Sequence, residues 1–355
     1  MKEETIRENT PVAEDSATGA TTLLPETFAK PAANTLVYKA PTFWELEKKR
    51  CKKYRKVLWF IIPAALFSLI FSYIPMLGLL FSFKGSDFSL IRGTPIENLF
   101  KGSWTFQNYL DIFVDLSFFK GVVNTLVINV IRLVICFPLS ILIAVQLSEL
   151  KNQMLSKLIL IIICIPNFLS WTIVISTWSG LLDSQGGVLN ELLVKIGFIE
   201  PDYFIMGKDQ WFKFFVVFLS AWKGAGWGSI MFYAAIMAID RSFYESATIE
   251  GANRLQKIFY LTVPSIVPTI ALMLVLNFSG MMSAGFEQIY TMMQLNSSFP
   301  ETQITLDTYL YEISIGHNDR IPFATALGVF NGLIGLALML IGNKITTKTL
   351  HRSLW

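Results

Sequence analysis

The sequence predicts an all-α polytopic membrane protein with six transmembrane helices. Three observations predict it. Of its 355 residues, 53% are hydrophobic and 15% are charged, against about a quarter charged in a soluble domain. The apolar residues gather into six stretches, each long enough to cross a hydrocarbon core about 30 Å thick. Lys and Arg then place alternate connections on one side of the membrane. With no water to satisfy the backbone, apolar crossings of this kind are helical.

Residues 1–42 are rich in Thr, Ala, Pro and Glu without an apolar period, and predict a disordered cytoplasmic tail. Residues 43–56 read FWELEKKRCKKYRK. They predict a basic amphipathic helix with aromatic anchors in the membrane lipid surface, or a contact with a cytosolic partner. Residues 57–119 hold the first span, Val57–Phe83, and an outer loop. That span is too long and too deep in the chain for a signal peptide, so it is expected to be retained. Residues 120–355 are expected to form the core domain. Its five spans are Gly121–Leu147, Leu158–Leu182, Trp211–Ile239, Ile266–Met293 and Ile321–Ile345. Between two of them, Asp183–Gln210 predicts a turn and a short interfacial helix.

Orientation follows from the basic residues. Lys48 to Lys56, then Lys151 and Lys157, then Arg241, Arg254 and Lys257, then Lys344, Lys348 and Arg352 fall on one side. That side is the cytoplasm. A multi-pass membrane protein with both termini inside is expected.

The motifs exclude several chemistries. There is no GxxxxGK[ST], so the chain does not hydrolyse ATP itself. His317 and His351 have no metal or triad partners nearby, and Cys51, Cys136 and Cys164 are too few for a disulfide framework. No paired carboxylates sit inside a span, as an intramembrane protease would need. No metal site, cofactor or nucleic-acid partner is expected. Two charges do lie inside spans, Arg132 and Lys223. Such charges usually face a bundle interior or a wet cavity. Arg132 is read as structural. Lys223 is read equally as a pathway residue or as the mate of a partner's carboxylate. It sits in WKGAGWG, residues 222–228, where glycines permit close helix contact and tryptophans suit the flat faces of sugar rings.

The longest connection expected in the cytoplasm, residues 240–265, has its own pattern. Apolar Phe243, Ala247, Leu255, Ile258 and Phe259 alternate with charged and polar residues at helical spacing. Gly251 interrupts them where a chain can turn. A short helix, a bend, a second short helix and a proline-marked entry into the next span are predicted. Glu245-Ser246-Ala247, then Gly251, then Leu261-Thr262-Val263-Pro264 resembles the EAA loop of permease subunits of binding-protein-dependent ABC importers. Ser246, Leu261 and Val263 are conservative departures from that pattern.

Further segments resemble the oligosaccharide and polysaccharide branch of these maltose-permease-like proteins. They are TFQNYLDIF at residues 105–113, AGFEQIY at 284–290, DTYLY at 307–311 and FATALG at 323–328. The resemblance implies the type I importer (MetI-like) permease fold. It implies ATPase coupling through Glu245, Ser246, Ala247, Gly251 and Pro264. It implies a substrate pathway at Lys223, Gly224 and Trp227, with Asn277, Phe278, Met281, Met282 and Phe286 on the next span. The implied partners are a second homologous permease subunit, two cytosolic ATPase subunits that bind ATP and Mg, and an extracellular substrate-binding lipoprotein. The implied substrate is an oligosaccharide. A secondary transporter driven by an ion gradient is the alternative; it lacks support from any midplane Asp or Glu. A membrane scaffold or sensor is a third reading, without an attached signalling domain.

Overall fold

A computed structural model describes residues 55–85, 97, 100, 102–295, 302–316 and 320–350. The expected tail (1–42), nearly all of the expected basic helix (43–56), His317 and His351 lie outside the described residues. By its contacts the chain divides into two units, residues 1–66 and 67–355.

In the first unit the described residues belong to helix α1 (Arg55–Ser68). From Trp59 to Leu66 this helix is exposed.

The second unit is helical. Among the described residues, strand-type pairing is confined to one bridge between Lys84 and Trp104. A π turn (Leu69–Tyr73) and a tighter 3-10 stretch (Leu77–Phe83) open it. Helix α2 (Gln107–Ile112) precedes the long α3 (Leu116–Ser148). Helix α3 begins five residues before the expected Gly121. Asp115 caps it, accepting from the backbone N–H groups of Ser117 at 2.9 Å and Phe118 at 3.1 Å, which satisfies two otherwise orphaned donors.

The expected third span is broken. Helix α4 (Gln153–Cys164) tightens into a 3-10 turn at Ile165–Phe168, and α5 (Trp171–Leu181) leaves at 95°. Pro166 and the Ser170 cap mark the break. The predicted interfacial helix is α6 (Val188–Lys195), and α7 (Asp209–Met237) is the unbroken fourth span.

After the loop helices α8 (Arg241–Ile249) and α9 (Arg254–Lys257), the fifth span also differs from expectation. Helix α10 (Val267–Ser279) stops well short of Met293. Residues 280–285 are irregular, and Gly285, at φ +83°, starts a separate helix, α11 (Phe286–Met293). Lipid cannot satisfy such backbone; protein side chains must. Here Asn129 Nδ2 donates to the carbonyls of Met281 and Ser283, both at 2.9 Å. Arg132 donates to that of Ala284 at 2.6 Å, and Asp307 accepts from the Ala284 N–H at 2.9 Å. Helices α12 (Leu306–Gly316) and α13 (Ile321–Leu350) complete the unit. Four described helices are long and apolar enough to cross a membrane unbroken; counting each bent pair as one span makes six.

Three apolar clusters hold the second unit together. One joins α5, α7 and α11 through Val174, Phe215, Leu219 and Ile289. Another joins α3, α12 and α13 through Phe118, Leu306, Ile313 and Leu327. The third lies where α3 and α7 meet the start of α10, around Ala144, Phe232, Ile236 and Ile266. Each buried Val, Leu, Ile or Phe among these contributes roughly 1.5–3 kcal/mol where it leaves water.

Candidate functional site: cavity and coupling loop

Three helices present one stripe each to a cavity of about 450 Å³. From α3 come Asn129, Arg132, Leu133, Cys136, Phe137 and Ser140; from α7, Ser220, Gly224, Gly228 and Phe232; from α10, Met273, Leu276 and Asn277, followed by Gly280 and Met281 just past its end. The spacings are three and four residues, so each set is one helix face. Gly224 leaves open space: a Cβ added there meets nothing within 4 Å.

Arg132 anchors the wall. Its Nη1 donates to Asn129 Oδ1 at 3.2 Å as well as to the Ala284 carbonyl, and its Nη2 donates to Gln288 Oε1 at 2.7 Å. Gln288 is buried and in turn donates to the Val216 carbonyl at 2.8 Å. Ser220 Oγ donates to Gln288 Oε1 at 3.0 Å. The network ties α3, α7 and the irregular 280–285 segment together.

The eight residues expected to form the pathway separate. Gly224, Asn277 and Met281 line the cavity. Lys223 and Trp227 lie about 100° around α7 from that stripe, and both meet the break between α4 and α5. Lys223 Nζ donates to the Asn167 carbonyl at 3.0 Å and lies 4.8 Å from the Trp171 ring centroid. Trp227 is 52% exposed and meets Phe168 edge-on at 6.0 Å. Phe278 packs against Gly342 of α13. Met282 is buried with Phe118 and Leu306. Phe286 stacks on Tyr290 at 5.1 Å and leans on Tyr311 at 4.7 Å. Arg132, read from the sequence as structural, both braces the wall and faces the cavity. Its spacing from Asn129 was the available signal; Gln288, 156 residues away, gave none.

The loop between α7 and α10 has the predicted order of elements. Asp240 caps α8 by accepting from the Ser242 N–H at 3.0 Å, and that bond holds its carboxyl below the usual range. Gly251 turns the chain at φ +82°, a left-handed conformation that favours glycine. Asn253 and Gln256 form a reciprocal cap at the start of α9. Three side-chain contacts brace the loop. Tyr244 and Thr262 share a hydrogen bond of 2.9 Å, Lys257 Nζ donates to Thr248 Oγ1 at 2.7 Å, and Arg254 pairs with Glu149 at 2.9 Å. Glu245 and Ser246 are exposed on α8, Ala247 is half-buried, and Pro264 lies one turn before α10. Ile249 stands 88% exposed at the end of α8.

Residues 137–348 match the family described as binding-protein-dependent transport system inner membrane component. The chain is 32% identical over 289 residues to the polygalacturonan/rhamnogalacturonan transport system permease protein YteP of Bacillus subtilis (strain 168), covering 81% of this chain and 86% of that one. It is 33% identical over 290 residues to protein LplB of the same strain, covering 81% and 87%. Among solved structures, it resembles a chain of a bacterial ABC transporter involved in import of the acidic polysaccharide alginate, with TM-score 0.74 and 31% identity, covering 86% of this chain and 99% of that one. These matches set aside the ion-gradient and scaffold readings. The loop, the spans and the matches together make this chain a member of the binding-protein-dependent transport system inner membrane component family, a membrane-spanning permease subunit of an ABC importer.

Proposed function

We propose that this permease moves oligosaccharides into the cell and couples to two cytosolic ATPase subunits through α8 and the turn at Gly251. A second, homologous permease subunit completes the pathway, and an external substrate-binding lipoprotein delivers the sugar. ATP and Mg are bound by the ATPase pair, so this chain carries no catalytic site. Both termini and the α8–α9 loop face the cytoplasm. The cavity between α3, α7 and α10, with Gly224, Asn277 and Met281, is this subunit's share of the pathway. Lys223 and Trp227 shape its neighbourhood by holding the broken third span.

The observation that carries the coupling role is the bracing of the loop. One side of α8 is exposed at Glu245, Ser246 and Ile249, while Thr248 ties α8 to Lys257 of α9, Tyr244 fastens the loop to Thr262 at the start of the fifth span, and Arg254 fastens it to Glu149. A displacement of α8 by the ATPase therefore reaches α10 through packed groups, which a two-state alternation of the cavity requires. The oligosaccharide reading draws on relatives that include the polygalacturonan/rhamnogalacturonan and alginate systems.

Gly251→Pro tests the coupling. Proline holds φ near −65° and cannot adopt the turn. The variant should insert and assemble, yet lose substrate-stimulated ATP hydrolysis. Glu245→Lys should weaken the same contact by reversing its charge. Normal transport by both variants with the ATPase bound would remove the loop from the coupling path.

A further inference from the structure

Arg132 is the one charged side chain lining the cavity among the described residues. All of its hydrogen-bond acceptors are neutral: Asn129 Oδ1, the Ala284 carbonyl and Gln288 Oε1. Its Nε is buried without an acceptor. Asp307, the carboxylate that acts on it from a distance, is turned to the hydroxyl of Ser283 and the N–H of Ala284. A full positive charge inside a span is costly and is retained where it faces a wet cavity. Low-dielectric walls focus the field of such a charge into the space they enclose.

We propose that this cavity selects anionic oligosaccharides, with Arg132 supplying the fixed positive field that draws the acidic groups of the sugar along the pathway. The inference rests on the oligosaccharide reading above and adds the charge of the cargo. Three neutral acceptors hold the guanidinium in place, so its charge does not collapse onto a protein carboxylate when the cavity is empty. Asn277 and Ser220 in the same wall offer partners for sugar hydroxyls. Carboxylates and sulfate esters share the required chemistry.

The test uses the complete transporter, with its binding protein and ATPase subunits, in proteoliposomes. The probes are trigalacturonate, its methyl ester, a sulfated trisaccharide and the neutral trisaccharide maltotriose. Arg132→Gln should lower uptake of one or both anionic probes per assembled complex by about tenfold or more, the scale of a lost charge-assisted contact. Arg132→Lys, which keeps the charge but not the forked hydrogen bonds, should retain most of that uptake. The anionic probe that responds identifies carboxylate or sulfate as the group sensed. Equal losses in the Gln and Lys variants, or no loss in either, would overturn the proposal and leave Arg132 a brace for residues 281–288. Uptake of neutral sugars with refusal of both anions would overturn it while the oligosaccharide reading stands. Uptake of no sugar by the wild-type complex would overturn both.

Discussion

Gly226 sits where α7 crosses α4, and an added Cβ would land on the backbone carbonyl of Ile163. Backbone cannot step aside as a side chain can. Two residues earlier, Gly224 opens into the cavity; two residues later, Gly228 faces Ser140 Oγ, whose rotamer can turn. One run of alternate glycines thus serves a helix crossing, a cavity wall and a tolerant contact. Gly226→Ala should destabilise the subunit by about 1–3 kcal/mol, the usual cost of overpacking. Gly224→Ala should leave stability unchanged and only narrow the cavity. Thermal unfolding of the purified complex checks both, and a Gly226→Ala variant melting with the wild type would show that the crossing has slack.

The break in the third span is held from both sides by opposite charges. Lys223 Nζ meets the Asn167 carbonyl at the end of the α4 segment, and Glu287 Oε1 accepts the Trp171 N–H at the start of α5 at 3.0 Å. A cation at a helix C-terminus and an anion at an N-terminus both complement the backbone dipoles. Lys223→Met removes the donor to the carbonyl of half-buried Asn167, at a cost of about 1–3 kcal/mol. Glu287→Gln keeps an acceptor and should cost less than Glu287→Leu. Cys164 is 7% exposed beside the break. With Cys51 and Cys136 replaced, it should react faster with a membrane-permeant maleimide in Lys223→Met than in the parent; unchanged reactivity would mean that the lysine does not hold the break. Helix α8 has its own acidic support at Asp240. Because the folded carboxyl titrates below its usual range, its cap acts above that range and is lost as pH falls through the lowered value.

Across the molecule, the apolar surface is extensive, with Phe67, Phe71, Val134, Ile161 and Leu336 all more than half exposed. A soluble monomer rarely shows such surface in bulk; a membrane protein presents it to lipid or to a second subunit. The proposed orientation puts Ser246 of α8 inside and Gln185, in the turn before α6, outside. In a version lacking the three natural cysteines, Gln185→Cys should react with an impermeant thiol reagent in intact cells, and Ser246→Cys only after the membrane is opened. The opposite labelling pattern would invert the topology and remove α8 from the ATPase side.

Much of this was legible in the sequence because its causes are local. Apolar runs in lipid must be helices, so the number of crossings followed from composition. The loop followed from Gly251, the apolar period around Phe243 and Ala247, and Pro264, each acting within a few residues. Even the cavity stripes are periodic: Ser220, Gly224, Gly228 and Phe232 fall four apart. What the periodicity does not say is which stripe faces which neighbour. Lys223 and Trp227 lie one residue off the cavity stripe and turn to the break in the third span instead. Phe278, one residue past Asn277, turns to α13. The end of the fifth span at Ser279, short of Met293, depends on Asn129 and Arg132 reaching carbonyls about 150 residues away. Helical rotation and long-range satisfaction of buried backbone are properties of packed neighbours, so the tertiary structure alone decided which charge faces the cavity and which holds the broken helix.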